Sequence, residues 1–390
     1  MKKTLVALAT LAVAAGASAQ VTISGYFGAS YDIASIGNAN AARTGNSSET
    51  RVSDQSSRII FGVVEDLGGG LKAIGQYDMR FNLDAASRQQ VESLASPTPN
   101  FTAGGNSHVG LTGGFGAVRL GRQDVYYVDT PSLLPGGLYL AANMVPVYHS
   151  LADANASRTP NLAWWTSPRI NGFEGTVAYS TNPLRTSGTV EVENDLGTTN
   201  AQRKGSGYML RLNYTNGPID ATLNTMDMKS DYIGGTANTG TGAGGAILNG
   251  NADQKGTNVV VKYAVNNQLK IAVGANNGQQ SAFSAAGAPG SVTKANATSF
   301  SASYDMGAWN FAMHQANRGN QTVDGVEGAN TGKSITSLAA TYNFSKRTAA
   351  GLMYTTLKSD ANTSTGLFYQ SNNAYGGQLT NMNGETQNIT

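Results

Sequence analysis

The chain has 390 residues, 48 of them glycine and only 13 % charged, against about 7 % glycine and about 25 % charge in an average soluble domain. So little charge is unusual for a soluble surface, and 10 prolines, 8 % aromatics and the lack of a three-residue glycine period exclude disorder and collagen. Lys and Arg total 26 against 24 Asp and Glu, an excess that lies in Lys2 and Lys3, so no basic patch is available for nucleic acid; without cysteine there are no thiol nucleophiles, disulfides or thiolate metal sites.

At the N-terminus, Lys2-Lys3, an apolar stretch over residues 5–15 and the small residues Ala17-Ser18-Ala19 predict an export signal over residues 1–19, cut after Ala19. That stretch is too short for a spanning helix, and no later run approaches the length a membrane helix needs. A membrane location therefore requires β structure.

From Val21 onward the odd positions Val21, Ile23, Phe27, Tyr31 and Ile33 are apolar, and the even positions Thr22, Ser24, Ser30 and Asp32 are polar. The two-residue period returns along the chain. Leu71, Ala73, Tyr77 and Met79 oppose Lys72, Gln76, Asp78 and Arg80; Tyr208, Leu210 and Leu212 oppose Met209, Arg211 and Asn213; Trp309, Phe311 and Met313 oppose Asn310, Ala312 and His314. These patterns predict fifteen strands, near 21–33, 57–65, 71–82, 106–112, 117–125, 159–167, 174–182, 206–215, 219–229, 257–265, 268–276, 297–305, 309–317, 334–344 and 348–358.

Alternation alone fits a soluble sandwich as well as a barrel. The turns favour the barrel. Short connections such as Gly113-Gly114-Phe115-Gly116 and Asn216-Gly217-Pro218 alternate with long Gly-, Asn-, Ser- and Thr-rich stretches, which is the asymmetry of outer-membrane barrels. Aromatics near strand ends (Tyr31, Tyr214, Trp309, Phe344) suit interfacial girdles. Residues 20–390 are thus read as one transmembrane antiparallel β-barrel domain. Bacterial barrels have an even strand number, so sixteen are expected, and no closing strand is recognisable after Leu357.

Enzyme constellations are weak, and no enzymatic activity is expected. His108, His149 and His314 are dispersed and none lies in an H-E-x-x-H motif; His108 and His314 fall on polar faces and are read as solvated. Gly240-Thr241-Gly242-Ala243-Gly244-Gly245 has no strand before it and no helix after it, which leaves a loop rather than a dinucleotide site. No catalytic residue, cofactor or metal is predicted.

The order Val21-Thr22-Ile23-Ser24-Gly25-Tyr26, Ser57-Arg58, Glu65-Asp66-Leu67-Gly68-Gly69-Gly70-Leu71-Lys72, Phe115-Gly116-Ala117-Val118-Arg119-Leu120-Gly121-Arg122-Gln123 and Tyr342-Asn343-Phe344-Ser345-Lys346-Arg347 resembles the general porins of Gram-negative bacteria, closest to the β-proteobacterial branch. The resemblance implies an outer-membrane homotrimer of sixteen-stranded barrels, surrounded by lipid, that passes ions and small hydrophilic solutes. It departs at the end: such proteins normally finish in a strand with a terminal phenylalanine, whereas this sequence stops at Thr390, which reads as truncation. The family's inward-folded loop corresponds to residues 126–158, carrying Asp129 and Asp153; parity places Arg58, Lys72, Arg80 and Arg119 on the lumen wall opposite it. Acidic groups facing a basic ladder would set a transverse field, and the lumenal Arg and Lys imply mild anion preference. The alternative is a surface or adhesive barrel without an open pore.

Overall fold

The computed structural model describes residues 20–39, 47–55, 57–80, 83, 105–124, 145–148, 159–181, 183, 205–230, 252–283, 289–363 and 384–390. In chain order the strands are β1 (Gln20–Tyr26), β2 (Ala29–Gly37), β3 (Ser48–Asp54), β4 (Arg58–Gly68), β5 (Leu71–Arg80), β6 (Ser107–Gly113), β7 (Gly116–Gln123), β8 (Thr159–Thr166), β9 (Phe173–Ser180) and β10 (Gly205–Asn216). Then follow β11 (Ile219–Ser230), β12 (Ala252–Ala264), β13 (Leu269–Phe283), β14 (Pro289–Met306), β15 (Trp309–Arg318), β16 (Thr322–Val323), β17 (Val326–Glu327), β18 (Lys333–Asn343), β19 (Ala349–Ser359) and β20 (Thr386–Ile389). One helical turn, α1 (Val145–Tyr148), lies between β7 and β8. Residues 1–19, Asp129, Asp153, His149 and the glycine-rich run at 240–245 lie outside the described residues.

All strands form one antiparallel sheet of twenty segments rather than sixteen strands. Breaks between β1 and β2 and between β3 and β4, and one short hairpin, add segments that the predicted runs did not separate. β1 and β2 are separated by Phe27 and Gly28, and β1 pairs with β4 while β2 pairs with β3. β16 and β17 form a small hairpin that pairs with the end of β14. All fifteen predicted runs are present, and the short connections sit where Gly supplies a left-handed turn, as at Gly217 (φ 54) and Gly307 (φ 60).

The expectation that no further strand follows Leu357 is corrected by β20. Its residues hydrogen bond on one side to β19, with Thr355 opposite Ile389, and on the other to β2, with Ala34 opposite Ile389. Thr390 and Ile33 exchange both backbone hydrogen bonds, at 3.0 and 2.9 Å. Four residues reading Thr-Gln-Asn-Ile carry too little polarity contrast for alternation to reveal them, and long-range pairing makes the strand. Past the end of β20, the edges of β1 and of residues 349–354 that point toward this line have no strand partner among the described residues. Ile389 is buried in a cluster with Ala34, Ile36 and Leu357. Ile389→Asp would bury an unpaired charge there, and is expected to lower stability by about 3 kcal/mol or more, read as a lower urea midpoint in detergent.

The two faces of the sheet invert the pattern of a soluble protein. Val21 (62 % exposed), Ile23 (71 %), Tyr208 (61 %) and Leu352 (77 %) are uncovered, whereas Asp32, Asp78, Asn224, Asn258, Gln254, Ser337 and Thr355 are buried. Alternation generates this inversion directly, because successive side chains point to opposite faces. No second sheet covers the apolar stripes among the described residues, so the sandwich packing is not adopted. Aromatic rings gather at the short-turn end of the exposed face: Trp309 meets Tyr342 at 5.0 Å, Tyr342 meets Phe344 at 5.1 Å, and Phe173 meets Tyr214 at 4.6 Å between centroids. Such rings suit a boundary that is apolar on one side and wet on the other.

Candidate functional site: an arginine cluster on the covered face

Arg58 owes its position to the bend between β1 and β2. Ser57 is fully buried; its Oγ accepts from the Gly28 amide at 3.1 Å, and its own amide donates to the Asp54 carboxylate at 3.1 Å. Gly25 has φ 139, and a Cβ there would lie 2.1 Å from the Arg58 carbonyl oxygen, so β1 closes on the start of β4 only with glycine at that position. The ladder then sets Tyr26 and Arg80 on either side of Arg58. Arg58 donates to the Tyr26 hydroxyl at 2.7 Å, and its guanidinium carbon stands 4.8 Å from the centre of that ring, a cation–π contact.

Between Arg58 and Arg80 lies Asp78, 2 % exposed. Its Oδ2 is 3.3 Å from Arg80 and 3.8 Å from Arg58, and it also accepts from the Asn106 amide at 3.3 Å. Residues 105 and 106 fold against β5 here: the Gly105 amide donates to the Asp78 carbonyl at 3.0 Å, and any Cβ at Gly105 would strike the carboxylate at 1.9 Å. Two guanidiniums thus share one carboxylate, a trio of net charge +1, with both arginine side chains 13 % exposed. A trio with net positive charge can draw an anion toward it.

The other predicted residues fall elsewhere. Arg119 is on the same covered face, opposite Gly110 and Trp164, six ladder rows from Arg80. Lys72 is exposed near the short-turn end of β5, opposite Asp66 and Thr112. The structure therefore brings Arg58 and Arg80 together and leaves Lys72 and Arg119 apart from them. Asp78 was missed as their common partner, although it shares the polar parity of Arg80. His108 lies edge-on to Trp164 at 5.4 Å. His314 is on the expected face but is fully buried rather than solvated, because something other than water covers that wall.

Part of that cover is α1. Although its flanking strands β7 and β8 are neighbours, α1 lies against β14, β15 and β18, and Asn276 of β13 donates to the Tyr148 carbonyl at 2.6 Å. β13 is five strands from β8, about 24 Å along the sheet at about 4.8 Å per strand. Val147 and Tyr148 are buried there with Val260, Ala272, Ala297 and Ala316. Burial pushes the Tyr148 phenol well above its usual range, with the Ser299 hydrogen bond opposing. Among the described residues no group of three or more His, Asp or Glu could hold a metal ion.

Comparison with known proteins agrees with this architecture. The major outer membrane protein P.IB of Neisseria meningitidis (strain H44/76) is 34 % identical over 47 % of the chain and 50 % of its own length. The outer membrane porin protein 32 of Delftia acidovorans is 30 % identical over 61 % of the chain and 62 % of its own length. The chain thus spans about half to three fifths of the curated relatives it matches. Among solved structures, the anion-selective porin from Comamonas acidovorans superposes with a TM-score of 0.67 at 21 % identity, covering 95 % of this chain and 98 % of that one, which establishes a shared fold. Residues 4–362 match the Gram-negative porin family as a whole. An exposed apolar face, a covered polar face and a family match running through nearly every strand lead to one assignment: the chain belongs to the Gram-negative porins and resides in the outer membrane.

Proposed function

We propose that the protein is a passive, water-filled diffusion channel for ions and small hydrophilic solutes, with a preference for anions. The observation that carries this reading is the inversion of the sheet, apolar outside and polar on the covered face, with a surplus positive charge at Arg58, Asp78 and Arg80. On this reading the sheet is a closed barrel and the covered face is its lumen. β1 with β2 and β3 with β4 count as two bent strands and the β16–β17 hairpin belongs to a loop, which makes sixteen; β20 supports closure by bridging β19 and β2. A lumen of that size holds water. The proposal includes export directed by residues 1–19, an inward fold of residues 126–158 and assembly as a homotrimer in outer-membrane lipid. Arg58 and Arg80, with Lys72 and Arg119 further along the wall, form the basic side of the pore; Asp129 and Asp153 would form the acidic side.

Planar bilayer recording tests the reading. Purified protein should add discrete conductance steps, and the reversal potential in a salt gradient should carry the sign of anion preference, as the Comamonas acidovorans protein is named. A membrane left inert would reject it. One observation favours a barrel without an open pore: α1 packs on the covered wall, and Ser301, His314, Ser337 and Thr355 are fully buried there. The same recording decides between them.

A further inference from the structure

We infer that Ile60, Val64 and Ile74 form an apolar strip on the covered face beside the basic trio, and that the strip selects aliphatic monocarboxylates. The carboxylate sits at Arg58 and Arg80, and the alkyl chain lies along β4 and β5. The ladder sets five directly opposite pairs on that face: Arg58 with Arg80, Ile60 with Asp78, Gly62 with Gln76, Val64 with Ile74, and Asp66 with Lys72. Opposite residues of an antiparallel pair share a face. The polar alternation therefore breaks here. Lipid does not require the break, because the outward set, Ile59, Phe61 and Val63 against Met79, Tyr77 and Gly75, already supplies an apolar exterior.

A packed core does not require it either. Val64 is 42 % exposed although it has the parity of the polar face, and Ile60 and Ile74 are half-buried. Apolar side chains left in contact with water beside a charged cluster mark a place where an amphiphilic solute gains by covering them. The neighbours leave the strip open. Gly62 has no side chain between Ile60 and Val64, and a Cβ there would stand 2.7 Å from Thr22 Oγ1. Gln76 donates its side-chain amide to the Asn106 carbonyl at 3.0 Å.

The charges fix which way the solute lies. The two guanidiniums meet at Asp78, directly opposite Ile60, with net charge +1. At the other end Asp66 faces Lys72, and that pair sums to zero. An anionic head is thus favoured at one end only, with its tail toward the short turn that follows Gly68. Asp78 and Ile74 are four residues apart on β5, about 13 Å along the strand. An extended alkyl chain with bonds of about 1.5 Å covers that length with about ten carbons, and shorter chains reach Ile60 alone.

This inference rests on the channel reading above. The test is block of chloride current through the purified protein in planar bilayers by acetate, butyrate, hexanoate, octanoate and decanoate. A methylene lying on one wall keeps water on its other side, so about half the gain of a fully buried one applies, and apparent affinity is expected to rise about twofold per added methylene. Ile60→Thr should flatten the steps from acetate to hexanoate. Val64→Thr and Ile74→Thr should leave those steps and flatten the ones from hexanoate to decanoate, while Val64→Leu, which keeps the exposed position apolar, should steepen them. Leu210→Thr on the outward face should keep the parental slope, and decylammonium should block far more weakly than decanoate because the trio repels it. Block independent of chain length, or equal slopes in the parent and the three variants Ile60→Thr, Val64→Thr and Ile74→Thr, would overturn the strip and leave the channel reading standing. Absence of any conductance would overturn both.

Discussion

Asp78→Asn is expected to lower the stability of the folded protein by about 2–3 kcal/mol and to strengthen anion preference at the same time. The carboxylate is buried and lies within 3.3 and 3.8 Å of two guanidiniums. Removing one partner of a buried pair leaves the remaining charges uncompensated, which typically costs about 3–5 kcal/mol. The lower part of that range applies because both arginines keep some exposure and Arg58 retains the Tyr26 hydroxyl. An asparagine also turns N–H donors toward groups that only donate, so isosterism does not rescue the contact. The urea midpoint in detergent reads the first effect. The reversal potential reads the second, since two arginines facing one neutral amide double the surplus charge at that level. Parental stability together with parental selectivity would mean that Asp78 is a solvated bystander.

Val273→Arg is expected to cost about 2–4 kcal/mol, the range for a basic residue near the middle of the lipid-facing band of a barrel. Val273 is exposed on β13, and its neighbours across the ladder, Val261 and Phe300, are exposed and apolar too. The guanidinium would face hydrocarbon with no carboxylate or water in reach. Lys72→Gln provides the contrast: it changes charge on the opposite face, at an exposed position, and should alter stability by no more than about 0.5 kcal/mol while weakening anion preference. Folding efficiency into lipid vesicles and the urea midpoint of the folded band measure both variants. Equal tolerance of the two substitutions would show that the apolar face meets water.

The strands were legible wherever lipid contact imposes a two-residue period. Val21, Ile23, Tyr31 and Ile33 mark one such stripe, and every run predicted in this way forms. β3 and the far ends of β12, β13 and β14 were not legible, because residues such as Asn277, Gln279, Thr293 and Asn296 are polar whichever face they take. There the strand is extended by its neighbour's ladder, as in the pairing of Asn277 with Asn296. β20 is the extreme case, four residues ordered by β2 on one side and β19 on the other. At the site, parity put Arg58, Arg80, Lys72 and Arg119 on the covered face, but only the register of β4 on β5 reveals that the first two share Asp78. Tyr148 gave no signal in a Pro- and Gly-rich stretch, since its burial depends on the missing Cβ of Gly274 and the side-chain amide of Asn276, more than a hundred residues away. The burial of His314 was hidden for the same reason.

The account turns on hydrocarbon touching one face of the sheet and water the other, and single spin labels along β10 measure that directly. With cysteines introduced one at a time at Tyr208, Leu210, Arg211, Leu212 and Asn213 in vesicle-embedded protein, labels at 208, 210 and 212 should relax with oxygen, which concentrates in lipid. Labels at 211 and 213 should respond instead to a water-soluble nickel chelate. Nickel accessibility at 208, 210 and 212 equal to that at 211 and 213 would contradict the account.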